Sequence, residues 1–331
     1  MRAFQVTDHT EQPSIWDIPR PEPEPGQVQV KIAACGVNFA DLLMIKGKYQ
    51  DTPPFPFTLG IELSGVVTAC GLGVADLKTG DRVAVYSGQG GMAEFGCFAA
   101  EQCLTLPDSM SFEDAAAFQV AHGTSHLALG HRAAMKPGET IVVLGAAGGV
   151  GLSAIQIAKL MGARVIAVAR GQAKLDIART AGADHLIDSD KGNIKTDIKS
   201  LGGADVVYDP VGGDAFTAAL GACKPEARIL TIGFASGQVP QIAANILLVK
   251  NVTVIGFYWG GYLKFNAPVL RSSIKTLLDW YAQGKLRPHI SHTLPLERAP
   301  EALELLRTRR STGKIIIRPQ PAPPAAETTG G

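Results

Sequence analysis

The 331-residue chain is predicted to fold as a two-domain α/β protein, β-rich at its N-terminus and doubly wound further on. Three observations carry this. Residues 139–151, ETIVVLGAAGGVG, pass from a short β-branched and apolar run into a glycine-rich turn. The next residues, LSAIQIAKLMGARVIAVAR, show apolar positions at helical spacing and then a second apolar run. Residues 140–257 continue this alternation, whereas residues 1–110 hold short strand-like runs punctuated by Gly and Pro.

The run 140–144 reads as a buried parallel strand. Leu152, Ile155, Ile157, Ala158 and Leu160 then mark one face of a helix. Between them, Ala146, Gly148 and Gly151 occupy the positions of a G-x-G-x-x-G fingerprint, with alanine in the first. Gly148 lets the backbone approach a pyrophosphate, and Gly151 lets the helix pack on the strand. Gly148, Gly149 and Val150 are expected to meet the phosphates through backbone groups, because a helix N-terminus offers unpaired N–H groups and partial positive charge. An ordinary tight βα turn is the alternative. The preceding strand, the helix and the second strand at 164–169 favour the dinucleotide.

The end of that second strand bears on which nucleotide is bound. NAD-binding units usually place Asp or Glu there, bonded to the ribose 2′-hydroxyl. This chain reads Val168-Ala169-Arg170-Gly171, with Lys174 close behind and no carboxylate before Asp176. Arg170 and Lys174 suit a 2′-phosphate, so NADPH is expected rather than NADH. The alternative is that both are solvated surface cations.

A formal net charge of +1 with no basic block argues against nucleic acid as a partner. The N-terminal MRAFQVTDHT has no apolar signal region. Residues 140–158 carry no charge, but their glycines and the strand-to-helix switch mark a buried βα unit and not a membrane span. Five cysteines, none in C-x-x-C, fit reduced thiols and a cytoplasmic location. His122/His126 and His289/His292 have spacings a metal could use, but lack Cys partners and the H-E-x-x-H glutamate, so packed or surface histidine is the commoner reading.

Further strands are expected at 3–6, 28–34, 63–69, 82–85 and 94–98, and a helical stretch from about 112 to 129. The nucleotide part adds strands at 184–187, 204–208, 227–232 and 252–257, which matches a doubly wound sheet. Helices near 267–283 and 297–309 and a strand at 314–318 follow. The Pro/Ala-rich segment 320–331 is expected to be a disordered tail.

GDRVAVY, AAGGVG, ADVVYDPVGGDAF and ILTIGFASGQVP, in this order, resemble the medium-chain dehydrogenase/reductase superfamily. VNFADLLMIKGKY and VKNVTVIGFYWG resemble its quinone oxidoreductase branch, which includes zeta-crystallin. The resemblance implies a GroES-like catalytic domain over 1–122 and 260–319 and a Rossmann domain over 123–259, with the cofactor in the cleft between them. It also implies a homodimer paired through the last strand of the nucleotide domain, where 252–257 is apolar enough to extend a sheet.

Alcohol dehydrogenases of that superfamily hold catalytic zinc with Cys, His and Cys. At the matching positions this chain has Asn38, Ile61 and Val120, with Glu62 retained after Ile61. An amide, an isoleucine and a valine do not make an open N/S zinc site, so no metal is expected. Alcohol oxidation becomes unfavourable without a Lewis acid. Hydride delivery to an electron-poor acceptor remains: a quinone, or an activated C=C bond in an enone, enoyl thioester or haloacrylate-like compound. A non-catalytic, crystallin-like NADPH-binding protein is the alternative of another class.

The resemblance assigns Asn38 to the substrate carbonyl or the nicotinamide ribose and Tyr49 to the acceptor oxygen, with Asp41 orienting their segment. Thr124 matches the threonine near the nicotinamide. The loops carrying Gly233, Phe234 and Ser236, and Phe257, Tyr258 and Trp259 at the end of the last strand, follow carboxyl ends of strands, where doubly wound sheets bind ligands. The three aromatics fit a core or dimer-interface role equally well. Where similar proteins carry a Tyr near the adenosine phosphate, this chain has Ser189, preceded by Asp188.

Overall fold

A computed structural model describes residues 1–320, so the predicted tail lies outside the described residues apart from Gln320. The chain divides into two compact units. The first comprises Met1–Ala117, Ile290–Ser311 and residues 315–320; the second comprises Phe118–His289 and Thr312–Lys314.

The first unit holds β1 (Arg2–Val6), β2 (Ser14–Asp17), β3 (Gln27–Gly36), α1 (Phe39–Ile45), β4 (Phe57–Thr58), β5 (Glu62–Cys70), β6 (Arg82–Tyr86), β7 (Phe95–Ala99), β8 (Cys103–Thr105) and α2 (Phe112–Ala116). Strand β3 pairs antiparallel with both β5 and β7. Its alternate residues Val28, Val30 and Ile32 pack with Leu63, Val67, Val83, Val85 and Phe98 in one apolar core. Period-two alternation places these residues on one face of the strand.

The second unit holds α3 (Gln119–His126), β9 (Thr140–Leu144), α4 (Gly149–Leu160), β10 (Arg164–Ala169), α5 (Gln172–Thr180), β11 (His185–Asp188), α6 (Ile194–Ser200), β12 (Ala204–Asp209), α7 (Gly213–Gly221), β13 (Cys223–Thr231), α8 (Ala244–Lys250), β14 (Thr253–Gly256), α9 (Tyr262–Phe265) and α10 (Ala267–Ala282). Its six parallel strands run β11-β10-β9-β12-β13-β14, the doubly wound order. Strand β9 is buried throughout, as expected for a strand covered on both faces. The chain ends with β15 (Ile290–Pro295), α11 (Ala299–Arg307) and β16 (Lys314–Arg318).

Three expectations change. The helical stretch from 112 breaks at Phe118, and α3 continues into a π-helical turn, Leu127–Arg132. The boundary expected at 260 falls inside the second unit. There α10 buries Leu270, Ile274, Leu277 and Tyr281, the Tyr281 ring meets Phe118 at 5.9 Å, and His126 Nδ1 lies 2.7 Å from Ser273 Oγ. Amphipathic spacing shows that a helix has an apolar face but not which unit that face covers. The short strands β2, β4, β8 and β15 carried too little pattern to be read.

Candidate cofactor and acceptor site

The second unit presents an uncapped helix at the end of β9. Gly145 takes φ +59, so the tight turn falls on the glycine directly after the strand and not on Ala146. Ala146 is fully buried, and its N–H donates to Val168 O at 3.0 Å. Its fingerprint position is therefore a packing position. Gly148 is the N-cap of α4, and no side chain caps that helix. The N–H groups of the first turn thus have no intrahelical acceptor and point outward. A Cβ on Gly151 would sit 2.4 Å from Gly145 O, inside any allowed contact, whereas one on Gly148 would meet only Gly145 O at 3.4 Å. Glycine is therefore required at 151 for the helix to approach the turn. Together these features fit a pyrophosphate.

At the end of β10 the picture is more crowded than the local sequence suggests. Arg170 Nε lies 3.2 Å from Asp190 Oδ1, with both side chains more than half exposed. Asp188 Oδ1 accepts from Gly171 N at 2.9 Å and Asp190 N at 3.1 Å. These two backbone bonds hold the Asp188 carboxyl below the usual carboxylate range. Lys191 Nζ stands 3.6 Å from Asp188 Oδ2. Lys174 is half-buried in the first turn of α5, and Ser189 is exposed. The expectation that no carboxylate competes on this turn therefore needs correction. Strand pairing sets Ala169 opposite Asp188, which brings two carboxylates, and also Lys191, to the same place. Arg170 and Lys191 each pair with one of these two carboxylates, and Lys174 follows in the first turn of α5.

Beyond β12, Asp209 is buried and its Oδ1 accepts from Val211 N at 2.7 Å and Gly212 N at 2.9 Å. Burial pushes its carboxyl up despite those two donors. This closes the 209–213 turn. Gly213 N donates to Gln238 O at 3.1 Å, so the turn leans on the loop carrying Gly233, Phe234 and Ser236, all half-buried. Phe257 and Trp259 are core aromatics of this unit. Phe257 packs on Tyr262, with ring centroids 5.7 Å apart. The Trp259 ring fills the space where a Cβ on Gly123 would lie, 2.8 Å from its atoms. Tyr258 is half-buried. Thr124 is buried on α3.

In the first unit, Asn38 is the N-cap of α1. Its Nδ2 donates to Glu62 Oε1 at 2.9 Å and to Gly36 O at 3.1 Å. Both amide hydrogens are thus engaged with the fold. Asp41 is buried and accepts from Asn38 N at 2.8 Å and Gly60 N at 3.1 Å, which makes it the organiser of this segment. Tyr49 is half-buried in the turn after α1, and its carbonyl accepts from Thr52 Oγ1 at 2.7 Å. Ile61 is buried core.

The paired histidines go to separate partners: His122 Nε2 to Gln156 Oε1 at 3.4 Å, His126 to Ser273, and His289 to Thr312 Oγ1 at 3.0 Å. Burial holds His122 down to about 4. Among the described residues no cluster of His, Cys, Asp and Glu could hold a metal ion, and no helix is long and apolar enough to cross a membrane.

A GroES-like unit joined to a parallel, doubly wound nucleotide unit defines a medium-chain dehydrogenase/reductase. Residues 24–108 match the model of the alcohol dehydrogenase GroES-like domain and residues 149–283 that of the zinc-binding dehydrogenase. The chain is 42% identical over 297 residues to the quinone oxidoreductase-like protein 2 homolog of Nematostella vectensis, covering 88% of this chain and 81% of that protein. The quinone oxidoreductase of Thermus thermophilus, solved also with NADPH, superposes with a TM-score of 0.85 at 33% identity over 96% of this chain and all of that one. Escherichia coli quinone oxidoreductase complexed with NADPH gives 0.89 at 29% identity, with the same coverage. The chain belongs to the quinone oxidoreductase branch of the medium-chain dehydrogenase/reductase superfamily.

Proposed function

We propose that the chain is an NADPH-dependent reductase that delivers hydride to a quinone without zinc. The observation that carries this reading is the uncapped, glycine-walled N-terminus of α4. The two similar quinone oxidoreductases solved with NADPH support it. The nicotinamide supplies the hydride when bound; orientation and polarisation fall to the protein.

Backbone N–H groups of residues 149–151 hold the pyrophosphate, and Arg170, Lys174 and Lys191 face the 2′-phosphate. Asn38 has both amide hydrogens committed to Gly36 and Glu62, so its part is to hold the acceptor-binding segment in shape. Tyr49 carries a phenol able to donate to the acceptor oxygen. The protein acts as a homodimer in a cytoplasmic setting. Strand β14 ends the sheet, and Leu248 and Val249 on α8, the helix preceding it in the chain, are 77% and 76% exposed. A second copy across this edge would cover both the open edge of the strand and the apolar side chains.

The test is NADPH oxidation against ortho- and para-quinones, enones and enoyl thioesters, with products identified. Turnover of quinones is expected. Turnover of alkenes alone would move the reading to the activated-alkene reductases. Tight NADPH binding with no turnover on any acceptor would favour a crystallin-like role.

A further inference from the structure

Three buried hydroxyls sit beneath the phosphate-facing turn. Ser125 on α3, Ser153 on α4 and Tyr208 on β12 are 0%, 2% and 0% exposed. Ser125 Oγ lies 2.9 Å from Tyr208 Oη, 2.8 Å from Ser153 Oγ and 3.0 Å from both Val150 O and Ala121 O. Ser153 Oγ lies 2.8 Å from Ala121 O and 3.0 Å from Val150 O. Three buried hydroxyls cost desolvation unless each is satisfied. Here they are.

Each serine reaches one carbonyl of its own helix and one of the other: Ser125 reaches Ala121 O and Val150 O, and so does Ser153. Val150 O is therefore held by a hydroxyl from α3 as well as one from α4, and Tyr208 Oη anchors Ser125 from β12.

We propose that Ser125, Ser153 and Tyr208 are positioning residues that aim the phosphate-binding backbone of α4. This rests on the dinucleotide reading of the turn. The link is the peptide plane. Val150 C=O and Gly151 N–H belong to one rigid unit and point in opposite directions. Holding Val150 O from below therefore fixes the direction of the Gly151 N–H, one of the first-turn donors. The same cluster ties in two neighbouring segments, since Ser125 follows Thr124 and Tyr208 precedes Asp209.

Tyr208→Phe removes one proton and keeps the ring. It should weaken NADPH and NADH binding by the same factor, roughly five-fold, the equilibrium worth of one net hydrogen bond. KM for NADPH should rise while kcat at saturation stays near wild type. Ile198→Val, in the apolar core of the same unit, controls for general loosening and should leave both affinities unchanged. In the ligand-free protein, amide exchange at residues 149–151 should quicken in Tyr208→Phe and not in Ile198→Val. Wild-type affinities with unchanged exchange would overturn the proposal, as would equal effects in the control. Wild-type protein that binds neither dinucleotide would instead overturn the nucleotide reading. The exchange comparison would still decide whether the hydroxyls hold the turn.

Discussion

Arg170 and Asp190 form an ion pair at the carboxyl end of β10, Nε to Oδ1 at 3.2 Å, with both side chains more than half exposed. Such an exposed pair is worth about 0–1 kcal/mol, so an arriving 2′-phosphate can displace it. Arg170→Ala should weaken NADPH binding about three- to ten-fold, less than a charge-assisted bond formed without competition. NADH should be nearly unaffected. Asp190→Asn should act in the opposite direction and tighten NADPH. Both effects should shrink as salt rises. Titration of the two nucleotides with the three proteins checks this; equal loss for both nucleotides in Arg170→Ala would make Arg170 a plain surface cation.

Tyr49→Phe tests the acceptor. With the phenol bonded to the acceptor oxygen, turnover should fall about ten-fold or more while NADPH affinity holds. Steady-state kinetics beside a binding titration separate the two. Unchanged turnover on every acceptor would leave Tyr49 with no part in the reaction.

Activity should survive chelation. Asn38 spends its amide on Glu62 and Gly36, and Ile61 is core, so the family's zinc-ligand positions in the first unit are taken up by the fold. Metal analysis and an assay after dialysis against a chelator check this. A stoichiometric zinc whose removal stops turnover would refute it.

His122 makes stability fall in mild acid. It is buried and held down to about 4, first by desolvation, while the unfolded chain titrates near 6.5. The unfolded state therefore binds the extra proton between about 6.5 and 4. This contribution is complete above that window and is lost as pH drops through it. Linkage gives a loss of about 2 kcal/mol between pH 7 and pH 5. Urea unfolding at the two pH values should show it, and His122→Phe should reduce it. A variant with the same pH slope as wild type would assign the loss elsewhere.

The β14 edge should pair with a second copy. Sedimentation at micromolar concentration is expected to give a dimer, and a double change Leu248→Lys with Val249→Lys should shift it toward monomer. A wild-type monomer at that concentration would refute the pairing.

Much of this protein is determined by residues close together in the chain. The strand, glycine turn and helix of 140–160 are legible because their signals are local: β-branched apolar residues, then glycines, then helical spacing. The same holds for the doubly wound class of the nucleotide unit, which the alternation of strands and short helices announces; the strand order itself came from the structure.

Other features were decided only in three dimensions. Parallel register sets Ala169 against Asp188 and so delivers Asp188, Asp190 and Lys191 to the turn that Arg170 begins. Nothing near Arg170 in the chain announces them. Packing assigns α10 to the nucleotide unit and makes Phe257 and Trp259 core residues. Ser125 and Tyr208, 83 positions apart, meet because a helix and a strand pack together. A fingerprint depends on local backbone conformation, which the chain encodes residue by residue. The charge around a phosphate site and the satisfaction of buried hydroxyls depend on which distant groups burial and strand register bring within a few ångströms.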